Sequence, residues 1–195
     1  MRITDRAGST AARREQIVGA TIGVLAERGY AATSYDAICA AAGLSSKRLI
    51  SYHFQTKDEL LAEVLRRVTA DAAEFMRPAL DAATGPAELL AAYIRSNVEF
   101  IAERPDHVRA VQQIVFGAAP VPAEEADGAV ARLVGLFDDG QRSGAFRTFD
   151  PVLMAVTLRA AIDAIAGRLI GGADPATCTR ELTETFTRAT RAEQS

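Results

Sequence analysis

Tryptophan is absent from this 195-residue chain, and cysteine, histidine and lysine occur only twice each. Cys39 and Cys178 stand far apart and make no CxxC, so neither a disulfide framework nor a thiolate metal site is indicated. His53 and His107 belong to no HExxH, and the chain has no GxSxG, no glycine-rich phosphate loop and no carboxylates clustered on an apolar face. An enzyme, a small helical one, is therefore only a rival reading. Long hydrophobic runs are also missing. The longest uncharged stretch, residues 110 to 123, is 14 residues broken by Gly117, Pro120 and Pro122, short of the ~20 apolar residues of a membrane span. The N-terminus, Met1-Arg2-Ile3-Thr4-Asp5-Arg6, leads into no apolar core and lacks the features of a secretory signal. These absences predict a cytoplasmic protein without metal, cofactor or membrane partner.

The formal net charge is −3, which argues against a general basic coat for nucleic acid. Its distribution is uneven. Residues 1 to 67 hold ten Lys and Arg against seven Asp and Glu, whereas residues 68 to 195 hold twelve against eighteen. Both lysines, Lys47 and Lys57, lie in the first part, so a small basic module there suits an anionic partner.

About a fifth of the residues are alanine, and β-branched residues never alternate for long, so an all-α protein is expected. Glycine and proline breakers cut the chain into about nine helices, read as 10–28, 34–41, 46–53, 57–81, 86–103, 105–116, 122–142, 151–170 and 175–192. In the first helix Ile17, Val18, Thr21, Val24 and Leu25 recur at helical spacing. Thr33-Ser34-Tyr35-Asp36 then fits a capping box for a short second helix, with the Thr33 hydroxyl accepting from first-turn amides. Gly43 suits the left-handed cap that ends it, and Ser45 or Ser46 can cap a third helix holding Leu49, Ile50 and Phe54. Two short helices about a turn with a glycine make a helix-turn-helix pattern.

On the third helix the residues not needed for a core are Ser46, Lys47, Arg48, Ser51, Tyr52 and His53, all hydrogen-bond donors. A recognition helix reads base edges with its N-terminal side chains and grips phosphates with hydroxyls and cations. Lys47 and Arg48 are the candidate readers of guanine O6 and N7. Lys57, opening the fourth helix, is a candidate phosphate contact, as are Thr33 and Ser45. A solvated face on an ordinary three-helix bundle is the plain alternative.

The sequence resembles the TetR family of bacterial regulators. The resemblance rests on Ile17-Val18-x-Ala20, Glu27-Arg28-Gly29-Tyr30, Ala32-Thr33-Ser34-x-x-x-Ile38, Ala41-Ala42-Gly43-Leu44-Ser45, Ile50-Ser51-Tyr52-His53-Phe54 and Lys57-Asp58-Glu59-Leu60. It implies an N-terminal three-helix DNA-binding domain, 1–56, joined through a long fourth helix to a helical ligand-binding and dimerisation domain, 57–195. It also implies a homodimer on palindromic operator DNA, most simply a repressor, released by a small inducer. Between Gly43 and Ile50 the chain has one residue more than the family's commonest spacing. Ser51 stands where many members carry a phosphate-contacting tyrosine, a role that Tyr52 can cover.

Beyond residue 65 the chain matches the family only in length and helicity. Asn97 interrupts an apolar row of the fifth helix, as a satisfied core amide or as a polar group aimed into a cavity. Around it a lining is expected from Phe75, Met76, Tyr93 and Phe100, from His107, Val111, Gln112, Val115 and Phe116, and from Leu133 and Phe137. So apolar a set implies a largely apolar inducer. Helix eight, with Leu158, Ile162, Ile165 and Leu169, and helix nine, with Cys178, Leu182 and Phe186, are the expected dimer interface. A DNA-binding or interaction module without sensing is the remaining alternative.

Overall fold

The computed structural model describes residues 2–117 and 123–192, with side chains described over 10–117 and 128–192. Nine helices are found among them: α1 (Arg2–Arg28), α2 (Tyr35–Ala42), α3 (Arg48–His53), α4 (Lys57–Asp81), α5 (Pro86–Glu103), α6 (Pro105–Phe116), α7 (Ala123–Arg142), α8 (Pro151–Ile170) and α9 (Pro175–Thr190). The all-α expectation holds, and most boundaries fall within two residues of the breakers that announced them. The first helix begins earlier than the apolar stripe, at Arg2. The break expected at Pro120 and Pro122 lies outside the described residues.

Two compact units emerge: Met1–Thr69 with Asp106–Pro122, and Ala70–Pro105 with Ala123–Ser195. The domain boundary expected at 56/57 coincides with the start of α4, whereas the compact units part within α4. Most of α6 also belongs to the first unit.

In the first unit the α1 stripe is buried as expected, Ile17, Val18, Thr21 and Leu25 all at 3% exposure or less, against Ile38, Ile50, Phe54, Leu60 and Val64. Burial of such side chains stabilises by about 1.5–3 kcal/mol each, which holds these short helices together where propensity alone would not. The cap of α2 is Ser34, whose hydroxyl accepts from the Ala37 amide. Thr33 is not the cap: it is buried, and its hydroxyl donates to the Gly29 carbonyl. Gly43 ends α2 at φ 63°, and the Leu44 amide reaches back to the Cys39 carbonyl at 2.9 Å, a left-handed closure that glycine adopts without steric cost. A box of the type expected at Thr33 stands instead at the start of α4. There the Thr56 hydroxyl accepts from the Glu59 amide at 3.1 Å, and Glu59 reaches back to the Gln55 amide at 2.7 Å.

In the second unit α5 is the hub, packing on α7, α8 and α9 and burying Leu90, Tyr93, Ile94, Val98 and Ile101. Two Asp-Pro pairs start the last two helices in the same way. Asp150 accepts from the Val152 and Leu153 amides and Asp174 from those of Ala176 and Thr177, each with proline in the first turn, where no amide hydrogen is needed. Phe137 meets Phe149 edge to face and Phe146 at a tilt near the end of α7, where Gly140 leaves room for the Phe146 ring.

Candidate nucleic-acid interface

The sequence of α3 sorts its side chains by length of reach and polarity. Ile50 and Phe54 are fully buried, while Ser45, Ser46, Lys47, Arg48, Ser51 and Tyr52 are all exposed. Tyr52, at 76%, is exposed far beyond what an aromatic ring keeps in water without reason. Its ring meets the half-buried His53 edge to face. The Ser46 hydroxyl accepts from the Arg48 amide at 3.2 Å at the start of α3. Lys47 pairs with Asp36 of α2 at 3.2 Å, both side chains well exposed, a contact worth little in water and readily exchanged for another anion. Lys57 is half-buried, its ammonium 4.4 Å from the centre of the Tyr30 ring.

Two residues that the sequence reading passed over hold this surface in place. Arg14 of α1 donates to the His53 carbonyl at 2.6 Å, lies 4.3 Å above the Phe54 ring and approaches Glu63 of α4 at 3.8 Å. One guanidinium thereby ties the end of α3 to α1 and α4. Gln16 donates to the Ala42 carbonyl at 2.7 Å and fixes the end of α2. Arg14 stands three residues before Ile17 and four before Val18, and a cation beside an apolar stripe at that spacing is the signal that could have found it.

Burial lowers the pKa of His53 below the ordinary imidazole value, and the charges of Arg14 and Arg13 lower it further. It is therefore mostly neutral near pH 7. Glu63 is held below the usual carboxylate range, chiefly by the hydrogen bond from Arg66, with burial opposing and the Arg66 and Arg14 charges adding. Thr33, buried and bonded to Gly29, is the one expected DNA contact whose side chain is not presented at the surface.

Against this geometry the comparisons are specific. The family described as "Bacterial regulatory proteins, tetR family" matches residues 17–64, the stretch from the α1 stripe through α3 into α4. Over that stretch the chain is similar to the TetR family. Its first unit carries the helix-turn-helix by which these regulators bind DNA. No curated protein matches the sequence. Among solved structures, a TetR-like transcriptional regulator from Rhodococcus sp. RHA1 shares 25% identity at a TM-score of 0.72, over 92% of this chain and 96% of the other. A regulator from Saccharomonospora viridis, in complex with choline, has 21% identity and a TM-score of 0.80 over 94% and 100%. AibR, in complex with isovaleryl coenzyme A and operator DNA, has 20% identity and a TM-score of 0.74 over 89% and 97%.

The residues expected to line a cavity are divided between the two units. Phe75, Met76, Tyr93, Asn97, Phe100, Leu133 and Phe137 lie in the second, and His107, Val111, Gln112, Val115 and Phe116 in the first. Leu133 and Phe137 are core, at 1% and 0% exposure, and Phe137 stacks on its aromatic neighbours. Phe116 is 83% exposed. For Asn97 the structure chooses the satisfied amide: its nitrogen donates to the Tyr93 carbonyl at 2.8 Å and its oxygen accepts from Arg159 at 3.1 Å. Arg159 of α8, overlooked in the sequence, also donates to the Tyr93 hydroxyl and to Asp163. Burial works against its charge, but Tyr93 and Asp163 outweigh burial and hold its pKa above the usual guanidinium value.

The expected dimer residues need correction as well. Leu158, Ile162, Leu169 and Phe186 are buried within the single chain, so they fill its own core. Ile165, Cys178 and Leu182 are half-buried. The outward face of α8 carries Val152, Leu153 and Val156 at 55%, 66% and 49% exposure, followed by exposed Ala160 and Ala164. Among the described residues no helix is long and apolar enough to cross a membrane, and no cluster of His, Cys, Asp and Glu could hold a metal ion.

Proposed function

We propose that this chain is a ligand-responsive repressor that binds palindromic operator DNA as a homodimer and leaves it when a small, largely apolar inducer binds. The observation that carries the DNA-binding part is the face of α3, polar and exposed from Ser45 to Tyr52 while Ile50 and Phe54 anchor its back. Arg48 and Lys47 read guanine edges, Lys47 exchanging Asp36 for the base, while Lys57, Ser51, Tyr52 and His53 hold phosphates. Thr33 supports the turn from within.

The dimer reading is supported by α8, which is apolar on both sides. A helix with Leu158 and Ile162 inward and Leu153 and Val156 outward needs a second partner, and a copy of itself across a two-fold axis supplies one. Sensing is assigned to the second unit. The continuous α4 carries a displacement there towards Lys57, a coupling that at ~1–3 kcal/mol lowers operator affinity about 5- to 150-fold. That solved relatives bind choline or an acyl coenzyme A supports ligand response in this chain without naming its ligand.

The test is to select duplexes from a random or genomic pool with the full-length protein and measure affinity against salt. A two-fold symmetric site is expected, with log affinity falling against log salt by about 0.9 per phosphate contact. Lys57→Ala should flatten that slope for every sequence, and Arg48→Ala should relax preference at particular base pairs at a cost of roughly 1–3 kcal/mol. An apolar compound panel titrated into the complex then tests release. By linkage, DNA must weaken ligand binding by the factor by which ligand weakens DNA binding. Salt-independent binding, or none, refutes the reading.

A further inference from the structure

Within the first unit, the last turn of α6 grips the turn between α1 and α2. The Tyr30 amide donates to the Gln113 side-chain oxygen at 3.0 Å. Gly29 holds φ 79°, and a Cβ there would stand 3.1 Å from that same oxygen. At Gly117 a Cβ would lie 2.4 Å from Cγ of Tyr30 and 2.7 Å from the Gln113 carbonyl, so only glycine lets the ring lie where it does. From the other side the Thr33 amide donates to the Tyr30 carbonyl and its hydroxyl to Gly29, fixing both residues of the turn. The ring so fixed is the one beneath the Lys57 ammonium.

We propose that Tyr30 and Gln113 are positioning residues for DNA binding: α6 clamps the Gly29-Tyr30 turn, and the Tyr30 ring sets the Lys57 ammonium at the start of α4, where it meets a backbone phosphate. This rests on the assignment of Lys57 as a phosphate contact. A lysine side chain loses rotamer entropy when it grips an anion, and a ring that already holds the ammonium removes part of that loss before DNA arrives. The cation–π contact is electrostatic and needs a ring, not a hydroxyl, so phenylalanine should replace tyrosine. Lys57 is only half-buried, so its ammonium can meet an anion as well as the ring.

Phosphate contacts are independent of sequence, so a mixed-sequence duplex at low salt serves as the probe. Affinity and salt slope would be measured by fluorescence anisotropy for the full-length protein and for Lys57→Ala, Tyr30→Leu, Tyr30→Phe, Gln113→Ala and the double variants with Lys57→Ala. Thermal unfolding reports whether each is folded. Tyr30→Leu is expected to bind about two- to five-fold more weakly, the loss of one exposed cation–π contact. Its salt slope should shrink in the direction of Lys57→Ala, and Tyr30→Phe should behave as the wild type. Neither Tyr30→Leu nor Gln113→Ala should weaken binding further once Lys57 is alanine. Additive losses in the doubles, an unchanged slope in Tyr30→Leu, or tighter binding by it would overturn the proposal. If Tyr30→Leu does not fold, Gln113→Ala alone and with Lys57→Ala decides by the same comparison. Absence of salt-dependent binding by the wild type refutes the DNA-binding reading and this one together; wild-type binding with additive doubles refutes this one alone.

Discussion

Replacing Arg14 by alanine removes three contacts at once, and the structure sets the size of the loss. The bond to the His53 carbonyl, 2.6 Å long and charge-assisted, is worth about 1.5–3 kcal/mol where it is partly buried. The Phe54 ring 4.3 Å below adds about 0.5–1 kcal/mol. Glu63 lies 3.8 Å away and the Arg14 side chain is still 35% exposed, so screening leaves that pair between roughly 0 and 1 kcal/mol. Water reaches part of the vacated His53 carbonyl and recovers some of the first contribution. The expected loss is therefore about 2–3 kcal/mol. Urea unfolding followed by far-UV circular dichroism measures it. Arg14→Lys keeps the charge but loses the planar fork, and should fall between the two. An independent readout is the titration of His53 by NMR. The pKa should rise in Arg14→Ala, because one cation is gone, yet stay below the ordinary value, because burial is the larger cause. A stability loss under about 0.5 kcal/mol with an unmoved His53 would show that the end of α3 is held by something else.

His53 is expected to make stability and DNA affinity run in opposite directions with acid. Its folded pKa lies below 6.5, so the unfolded chain takes the proton first; stability is complete above about 6.5 and declines as pH falls towards the folded value. DNA affinity should rise over the same window if His53 faces phosphate, and His53→Asn should abolish both trends. Gly140→Ala places a Cβ 2.0 Å from the Phe146 ring, and overpacking of about 1–3 kcal/mol should outweigh the roughly 1 kcal/mol gained in helix propensity. A net stabilisation in urea would contradict the packing described. Leu158→Ala should cost about 2–5 kcal/mol as a core truncation. Val156→Asp should leave the fold intact and shift sedimentation from dimer to monomer, and an unaltered dimer would place the interface elsewhere.

Helix existence and order were legible because the breaks among the described residues are local. Asp150-Pro151, Asp174-Pro175, Gly43 and Gly85-Pro86 act through their own backbone, which neighbours three residues away can complete. The exposed polar face of α3 was legible for a related reason. A short helix of the period seen in α3 must bury Ile50 and Phe54 and therefore expose what lies between them. Thr33 differs from its expected role because Thr33 and Ser34 both offer a hydroxyl at the start of α2, and only backbone geometry tells the buried hydroxyl from the cap.

What tertiary structure alone decided are contacts between residues far apart in the chain. Nothing in the order of residues says that Gln113 will meet Tyr30, that Arg14 will meet the carbonyl of His53, or that Arg159 will meet Asn97. An amphipathic pattern names a buried face but not the body that buries it. Leu158 and Ile162 on α8 are thus expected from the sequence at the dimer interface, whereas the packing of α5 against α8 turns them inward and leaves Leu153 and Val156 outside. The pattern of one helix is a property of its own residues, whereas the choice of neighbour depends on how all the helices share a limited apolar surface.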